Sequence, residues 1–197
     1  MKTIACLGSG SGQAGEPAYD AMVEVGRLLA QRDCVVVTGG FGGAGMEAPA
    51  KGAREAGGEV IGYTMFGGPS NDFLTREVNC RTQYVANPES LLAGVEPPPE
   101  IQHGIRLGNL MAADGFIVAD GGGSGTFVEF TAYVNLMVKL WVAAPKKMAI
   151  LTSGGRPGTV WVEILEKLEI WGMLPPGVLP YIFITRFPER AVGWVIV

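Results

Sequence analysis

The chain has 197 residues, of which 48% are hydrophobic and 17% are charged, with 30 glycines and a formal net charge of −4. This length and composition indicate one α/β domain spanning 1–197, and the negative balance without a Lys/Arg-rich run argues against nucleic acid as a partner. No apolar run reaches the roughly 18 residues of a membrane span, so no membrane partner is expected. Three scattered cysteines are typical of a reducing compartment, which favours a cytoplasmic location.

Strands and helices alternate along the first part of the chain. Strands are predicted at 3–7, 34–37 and 59–63, with helices at 19–30 and about 45–56 between them. This β-α-β-α-β order with short connections predicts a Rossmann-like, doubly wound, mostly parallel sheet with helices on both faces.

The second half continues the alternation after an irregular stretch in which a short strand is predicted at 79–85. The run 96–100 contains three consecutive prolines and is predicted to be non-helical. The remaining predicted elements are a helix at 101–112, a strand at 115–119, a helix at 124–142, a strand at 147–151, a helix at 159–170, a strand at 181–185 and a helix at 188–197. The sequence shows no internal repeat.

Glycine-rich turns follow three of the predicted strands, after Leu7, Val37 and Ala119. Ligands bind at the carboxyl edge of a parallel sheet, and free amides at the start of a helix can hold an anion. Any one of these turns could instead be only a tight connection. The candidate phosphate- or nucleotide-binding residues are Gly8, Gly10, Gly39, Gly40, Gly42, Gly43, Gly121, Gly122, Gly123, Ser124, Gly125 and Thr126.

Common nucleotide and metal motifs do not fit the sequence. Gln13 stands where the dinucleotide fingerprint needs its third glycine, and the turn 121–126 lacks the lysine of a P-loop. The single histidine, His103, and the scattered cysteines make no metal site. Neither a metal nor an organic cofactor is therefore expected.

Glu129 and Arg106 are the candidate catalytic residues. Glu129 lies one turn into the helix that follows the third glycine turn, and Arg106 lies on the helix before the preceding strand, so both can face one crevice. Two structural alternatives stay open. Glu129 could complete a capping box with Thr126, and Arg106 could form a surface salt bridge.

Residues 122–129, Gly-Gly-Ser-Gly-Thr-Phe-Val-Glu, resemble the G-G-x-G-T-x-x-E core of the lonely-guy family, and residues 38–46 and 53–62 are similar to two further runs of it. The resemblance implies a Rossmann-like fold, usually dimeric, and a phosphoribohydrolase that releases adenine-type bases, including cytokinins, from nucleoside 5′-monophosphates. It also implies that Glu129 and Arg106 are catalytic and that the turn holds the phosphate.

The sequence departs from that family at several positions. Leu107 replaces a lysine, Asp120 a proline and Glu47 a glycine, and 97–99 belongs to an insertion. These departures point toward relatives such as the molybdenum-cofactor carrier protein, which binds a phosphorylated ligand. Two functions stay open: hydrolysis of the N-glycosidic bond of a purine nucleoside 5′-monophosphate such as AMP, and a non-catalytic carrier role for a nucleotide, a molybdenum cofactor or another phosphorylated small molecule.

The helix predicted at 124–142 carries apolar side chains on nearly every face. This apolar surface is wider than one sheet contact covers. A symmetric homodimer that buries this helix, together with the helix at 101–112, is therefore predicted.

Overall fold

The computed structural model describes residues 1–65, 68–81, 97–139, 145–152, 160–174 and 177–197. The strands are β1 (Thr3–Leu7), β2 (Val35–Thr38), β3 (Val60–Thr64), β4 (Arg76–Asn79), β5 (Gly115–Val118), β6 (Lys147–Leu151) and β7 (Ile182–Thr185). The helices are α1 (Pro17–Ala30), α2 (Glu47–Glu55), α3 (Pro99–Met111), α4 (Ser124–Lys139), α5 (Val160–Ile170) and α6 (Pro188–Ile196).

The seven strands form one sheet in the order β4-β3-β2-β1-β5-β6-β7, and every neighbouring pair is parallel. The predicted Rossmann-like α/β fold is confirmed. The chain winds outward from β1 in one direction and from β5 in the other. The carboxyl ends of β1 and β5 therefore form the switch point at which ligands bind in sheets of this kind.

The core lies in two layers, one on each face of the sheet. Alternation along β1 sends Ile4 and Cys6 into the layer built with α1, α2 and α6, and sends Ala5 and Leu7 into the other layer. That second layer also contains the buried aromatic side chains Phe130 and Tyr133 of α4 and Trp161 of α5. Because β1 is covered on both faces, its sequence is apolar without interruption from Ile4 to Leu7.

Two predicted boundaries are wrong. The strand predicted at 79–85 ends at Asn79, since Cys80 and Arg81 are already helical, and 82–85 lies outside the described residues. Helix α3 begins at Pro99, inside the segment predicted to be non-helical. Proline suits the first position of a helix because no helical partner is needed there for its missing N–H.

The rest of the chain covers helix α4 more fully than its apolar sequence pattern predicts. Phe130, Tyr133 and Met137 are all less than 5% exposed, whereas Phe127 and Val128 remain 46% and 37% exposed. The surface open to a partner is therefore narrower than the predicted one. The homodimer and the single domain stay predictions.

None of the described helices combines the length and the apolarity that a membrane crossing requires.

Candidate functional site

The first two glycine turns pack directly against each other at the carboxyl ends of β1 and β2. A Cβ on Gly45 would lie 2.3 Å from the Cα of Gly8, and one on Gly43 would lie 2.3 Å from the carbonyl carbon of Gly10. Backbone hydrogen bonds join the turns, including Gly45 N–H to the Ser9 carbonyl at 2.9 Å. Contact between the two backbones therefore explains why residues 8 and 43 are glycines, and no ligand is needed for that explanation.

Gly40 and Gly42, which also belong to the second turn, have different surroundings. Gly40 has a φ of +79°, and a Cβ there would lie 2.6 Å from Cγ2 of Thr64, so local geometry also explains this residue. A Cβ on Gly42 would lie 3.4 Å from Oε2 of Glu47, which is ordinary contact.

The third glycine turn packs against Thr126 and Trp161 on one side and leaves space on the other. A Cβ on Gly122 would lie 2.8 Å from the Thr126 side chain and 2.9 Å from the Trp161 ring, whose Nε1–H donates to the Ala119 carbonyl at 3.2 Å. By contrast, a Cβ on Gly121, Gly123 or Gly125 would meet no atom of the described residues within 4 Å. Gly121 also has a φ of +77°, which side chains rarely adopt.

Helix α4 starts directly after this turn, at Ser124. The first amide that donates within the helix is that of Phe127, which bonds to the Gly123 carbonyl at 3.1 Å. The preceding amides have no partner of this kind and lie at the positive end of the helix dipole. An exposed turn with these properties can hold an anion.

A crevice of about 430 Å³ separates the first and third glycine turns. Its described walls are lined by Ser9, Ser11, Gly12, Glu16, Ala18 and Ala44 on one side and by Asp120, Gly121, Gly122 and Gly123 on the other. Two carboxylates, of Glu16 and Asp120, are among these residues, and none of the described lining residues is basic. The volume suits a small ligand, but the charge opposes a phosphate that lies near Asp120.

Arg106 and Glu129 form a buried ion pair. Nη1 of Arg106 donates to Oε1 of Glu129 at 2.8 Å, and the residues are only 8% and 4% exposed. Nε of Arg106 donates to the Tyr63 carbonyl at 3.1 Å, so the guanidinium is held at the carboxyl end of β3. The surface salt bridge considered for Arg106 is thus not what the structure contains.

The guanidinium of Arg106 also explains why residue 39 is a glycine. A Cβ on Gly39 would lie 1.8 Å from Nη2 of Arg106 and 2.7 Å from Sδ of Met46. Nη2 itself lies 3.8 Å from that thioether sulfur. Gly39 therefore leaves room for the arginine rather than for a ligand.

The burial of Glu129 opposes the ionisation of its carboxyl group. Burial raises the pKa of Glu129 above the ordinary value of a glutamate, and the charge and hydrogen bond of Arg106 offset this only in part. Thr126 is the third residue of α4 rather than its cap, and the carboxylate of Glu129 accepts a hydrogen bond from Arg106. The geometry therefore does not support the capping box.

The predicted residues fall into separate groups. The third turn faces the crevice, the glycines of the first two turns mostly contact one another, and the Arg106–Glu129 pair lies outside the described crevice lining. Sequence reasoning missed Met46 and Glu16. Glu16 carries no local signal beyond its place before α1, whereas Met46 lies within the family-like run 38–46.

Comparison with known sequences gives partial matches. The family model that matches is that of the SLOG cluster4 family, over residues 1–75. An uncharacterized protein of Archaeoglobus fulgidus is 44% identical over 52 residues, which are 26% of this chain and 34% of that protein. The match thus spans about a third of the relative's length. The family match includes the first two glycine turns but neither Arg106 nor Glu129.

Solved structures match almost the whole chain at low identity. TM1055 has a TM-score of 0.64 and 23% identity, covering 98% of this chain and 97% of its own. The Moco carrier protein of Chlamydomonas reinhardtii has a TM-score of 0.62 and 21% identity, covering 99% and 95%. These similarities agree with a Rossmann-like fold, and they do not name the lonely-guy family.

A third structure corrects the predicted partners. DNA processing protein A of Helicobacter pylori has a TM-score of 0.62 and 13% identity, covering 99% of this chain and 80% of its own. That protein binds single-stranded DNA. A protein with this fold can therefore bind nucleic acid, and the exclusion drawn from net charge is wrong.

Proposed function

We propose that this chain binds a phosphorylated, nucleotide-type small molecule in the crevice between the first and third glycine turns. The observation that carries the proposal is the open third turn, where Gly121, Gly123 and Gly125 leave free space at the start of α4. Amides of residues 121–126 hold the phosphate, and the rest of the ligand lies along the crevice toward Ser9 and Ser11.

A matched pair of glycine variants tests this binding. Gly123→Val fills the space where the phosphate would lie, and a Cβ there meets no atom of the described part of the chain within 4 Å. Gly104→Val serves as the control, because a Cβ on Gly104 of α3 also meets no described atom within 4 Å. Titration calorimetry with AMP and with inorganic phosphate should show binding to wild type and to Gly104→Val, and none to Gly123→Val. Equal affinity in all three proteins would remove the turn from the proposal.

Hydrolysis of the N-glycosidic bond of a purine nucleoside 5′-monophosphate is the second candidate, and the Arg106–Glu129 pair is the observation that favours it. Such a reaction passes through an oxocarbenium-like state, which a carboxylate can stabilise, and a carboxyl group with a raised pKa can transfer a proton. Glu129 would take that part, Arg106 would orient it, and neither a metal nor an organic cofactor is required. The 21% identical carrier protein supports binding without turnover instead.

Release of free adenine from AMP separates the two candidates. The hydrolase predicts release by wild type and a fall of roughly 10²-fold or more in Glu129→Gln, because the ionisable group is lost. Phosphate affinity should stay the same in that variant, since the third turn is unaltered. Tight binding of AMP without adenine release would favour a carrier over a hydrolase.

The homodimer belongs with this proposal because its surface adjoins the third turn. Phe127 and Val128 of α4 are exposed beside the start of the helix, and a further apolar groove of about 390 Å³ runs from Phe127 to Trp171. Light scattering at micromolar concentration should show a mass of twice 20.7 kDa. A single-chain mass would refute the dimer and leave the ligand proposal standing.

A further inference from the structure

Met46 lies between the first glycine turn and the buried ion pair. Its sulfur is 3.8 Å from Nη2 of Arg106, and its methyl carbon would lie 3.5 Å from a Cβ on Gly10. The flanking residues Ser9 and Ser11 line the crevice. The side chain of Met46 therefore extends from the back of a crevice wall to the guanidinium.

Glu129 is set apart from the described lining of the crevice. Glu129 is 4% exposed and Arg106 is 8% exposed, and neither is among the described residues that line the crevice. The pair is fixed by its own hydrogen bond and by the bond from Arg106 to the Tyr63 carbonyl. A methionine side chain has three rotatable bonds and repacks more readily than such a pair.

We propose that Met46 is a positioning residue that closes the path from the crevice to the Arg106–Glu129 pair, and that a bound nucleotide reaches Glu129 only when this side chain is displaced. This inference rests on the proposed function of the crevice. The same side chain then keeps water away from the pair in the unliganded protein and contributes to the burial of Glu129.

Shortening Met46 tests the barrier without any ligand. In Met46→Ala, water should reach the pair, and the pKa of Glu129 should fall toward the ordinary value of about 4.3. Met46→Leu keeps the apolar volume and should leave that pKa raised. Carboxyl-carbon NMR of glutamate-labelled protein measures it, with Glu129→Gln to assign the signal. An unchanged Glu129 pKa in Met46→Ala, in a protein with wild-type amide spectra elsewhere, would overturn the proposal.

Displacement by a ligand is a second readout. With methyl-labelled methionine, saturating AMP should shift the Met46 methyl signal of wild type, and Met46→Leu assigns that signal. If the hydrolase candidate also holds, Met46→Ala should raise kcat/KM for adenine release several-fold and leave phosphate affinity unchanged. A Met46 methyl signal that stays fixed while the amide of Gly123 shifts would overturn the proposal.

Failure of the proposed function gives a different result. If AMP shifts neither the Gly123 amide nor the Met46 methyl signal, the crevice does not bind this nucleotide. The role of Met46 as a barrier is then decided by the Glu129 pKa in Met46→Ala and Met46→Leu alone.

Discussion

At the scale of single residues, the buried Arg106–Glu129 pair has a predictable effect on stability. Removing one partner leaves an uncompensated buried group, which costs about 3–5 kcal/mol, whereas replacing both by apolar residues costs less. We expect Arg106→Leu to be strongly destabilised, and Arg106→Leu/Glu129→Leu to recover part of the loss. Urea unfolding of the two single variants and the double variant measures the coupling. Additive losses would mean that the pair contributes no interaction energy.

The pH dependence of Arg106→Leu follows from the raised pKa of Glu129. Without the arginine, burial alone acts on this carboxyl group, so its folded pKa rises further above the unfolded value. A raised folded pKa gives stability that is present below the unfolded pKa and is lost as pH rises through the folded pKa. Relative to wild type, Arg106→Leu should therefore be less destabilised at pH 5 than at pH 7.5. An equal loss of unfolding free energy at both pH values would contradict this account.

We expect Asp120 to lower the affinity of the third turn for anions. Its carboxylate adjoins Gly121 on the crevice wall, so it repels a bound phosphate. Asp120→Asn should bind inorganic phosphate roughly three- to tenfold more tightly, a gain of ~0.7–1.4 kcal/mol. The gain should shrink as salt is added.

Calorimetry at low and high salt measures this gain in phosphate affinity. Glu59→Gln, which removes a carboxylate that does not line the crevice, is the control for the general change of charge. Equal gains in the two variants would contradict a local effect of Asp120.

At the scale of elements, α1 and α2 cross with their backbones in contact. A Cβ on Gly52 of α2 would lie 1.8 Å from the Val23 carbonyl oxygen, and one on Gly26 of α1 would lie 2.0 Å from the Pro49 carbonyl oxygen. Neither obstacle is a flexible side chain, so one methyl group would force the helices apart. This contact fixes α2 and, through it, the second glycine turn, which directly precedes Met46.

An alanine pair tests the helix crossing. Gly52→Ala should destabilise the protein by about 1–3 kcal/mol or more, because overpacking shifts backbone. Gly108→Ala on α3 should instead stabilise by ~0.5–1 kcal/mol, since a Cβ there meets no atom and alanine favours helix. Thermal unfolding of both variants gives the comparison. A neutral Gly52→Ala would show that the two helices can move apart at little cost.

At the scale of the whole molecule, Cys6 reports on the opening of the sheet. It lies in β1, the middle strand, is fully buried, and burial raises its thiol pKa to about 12. The thiolate is the reactive form, so native protein should resist iodoacetamide at pH 8. We expect the alkylation rate of Cys6, followed by mass spectrometry, to track the free energy of global unfolding in low urea. Rapid alkylation without urea would mean that the sheet opens locally at β1.

The sequence by itself determined the fold class, because its apolar strands alternate with helices at short spacing and connect only as a parallel sheet. It also placed the third glycine turn at the start of a helix, since a strand, three glycines and an apolar helix follow one another locally. The local sequence pattern did not reveal that α3 begins at Pro99 or that β4 ends at Asn79. At these two boundaries the tertiary structure outweighs the local amino-acid composition.

Only the tertiary structure decided which glycines leave space for a ligand. Gly39 and Gly123 look alike in sequence, yet one makes room for Arg106 and the other opens on the crevice. The sequence suggested that Arg106 and Glu129 could face one crevice, but not that they pair in a buried position apart from its described lining. These outcomes depend on contacts between residues far apart in the chain, such as the 2.8 Å bond from Arg106 to Glu129, and spacing along a sequence does not encode such distances.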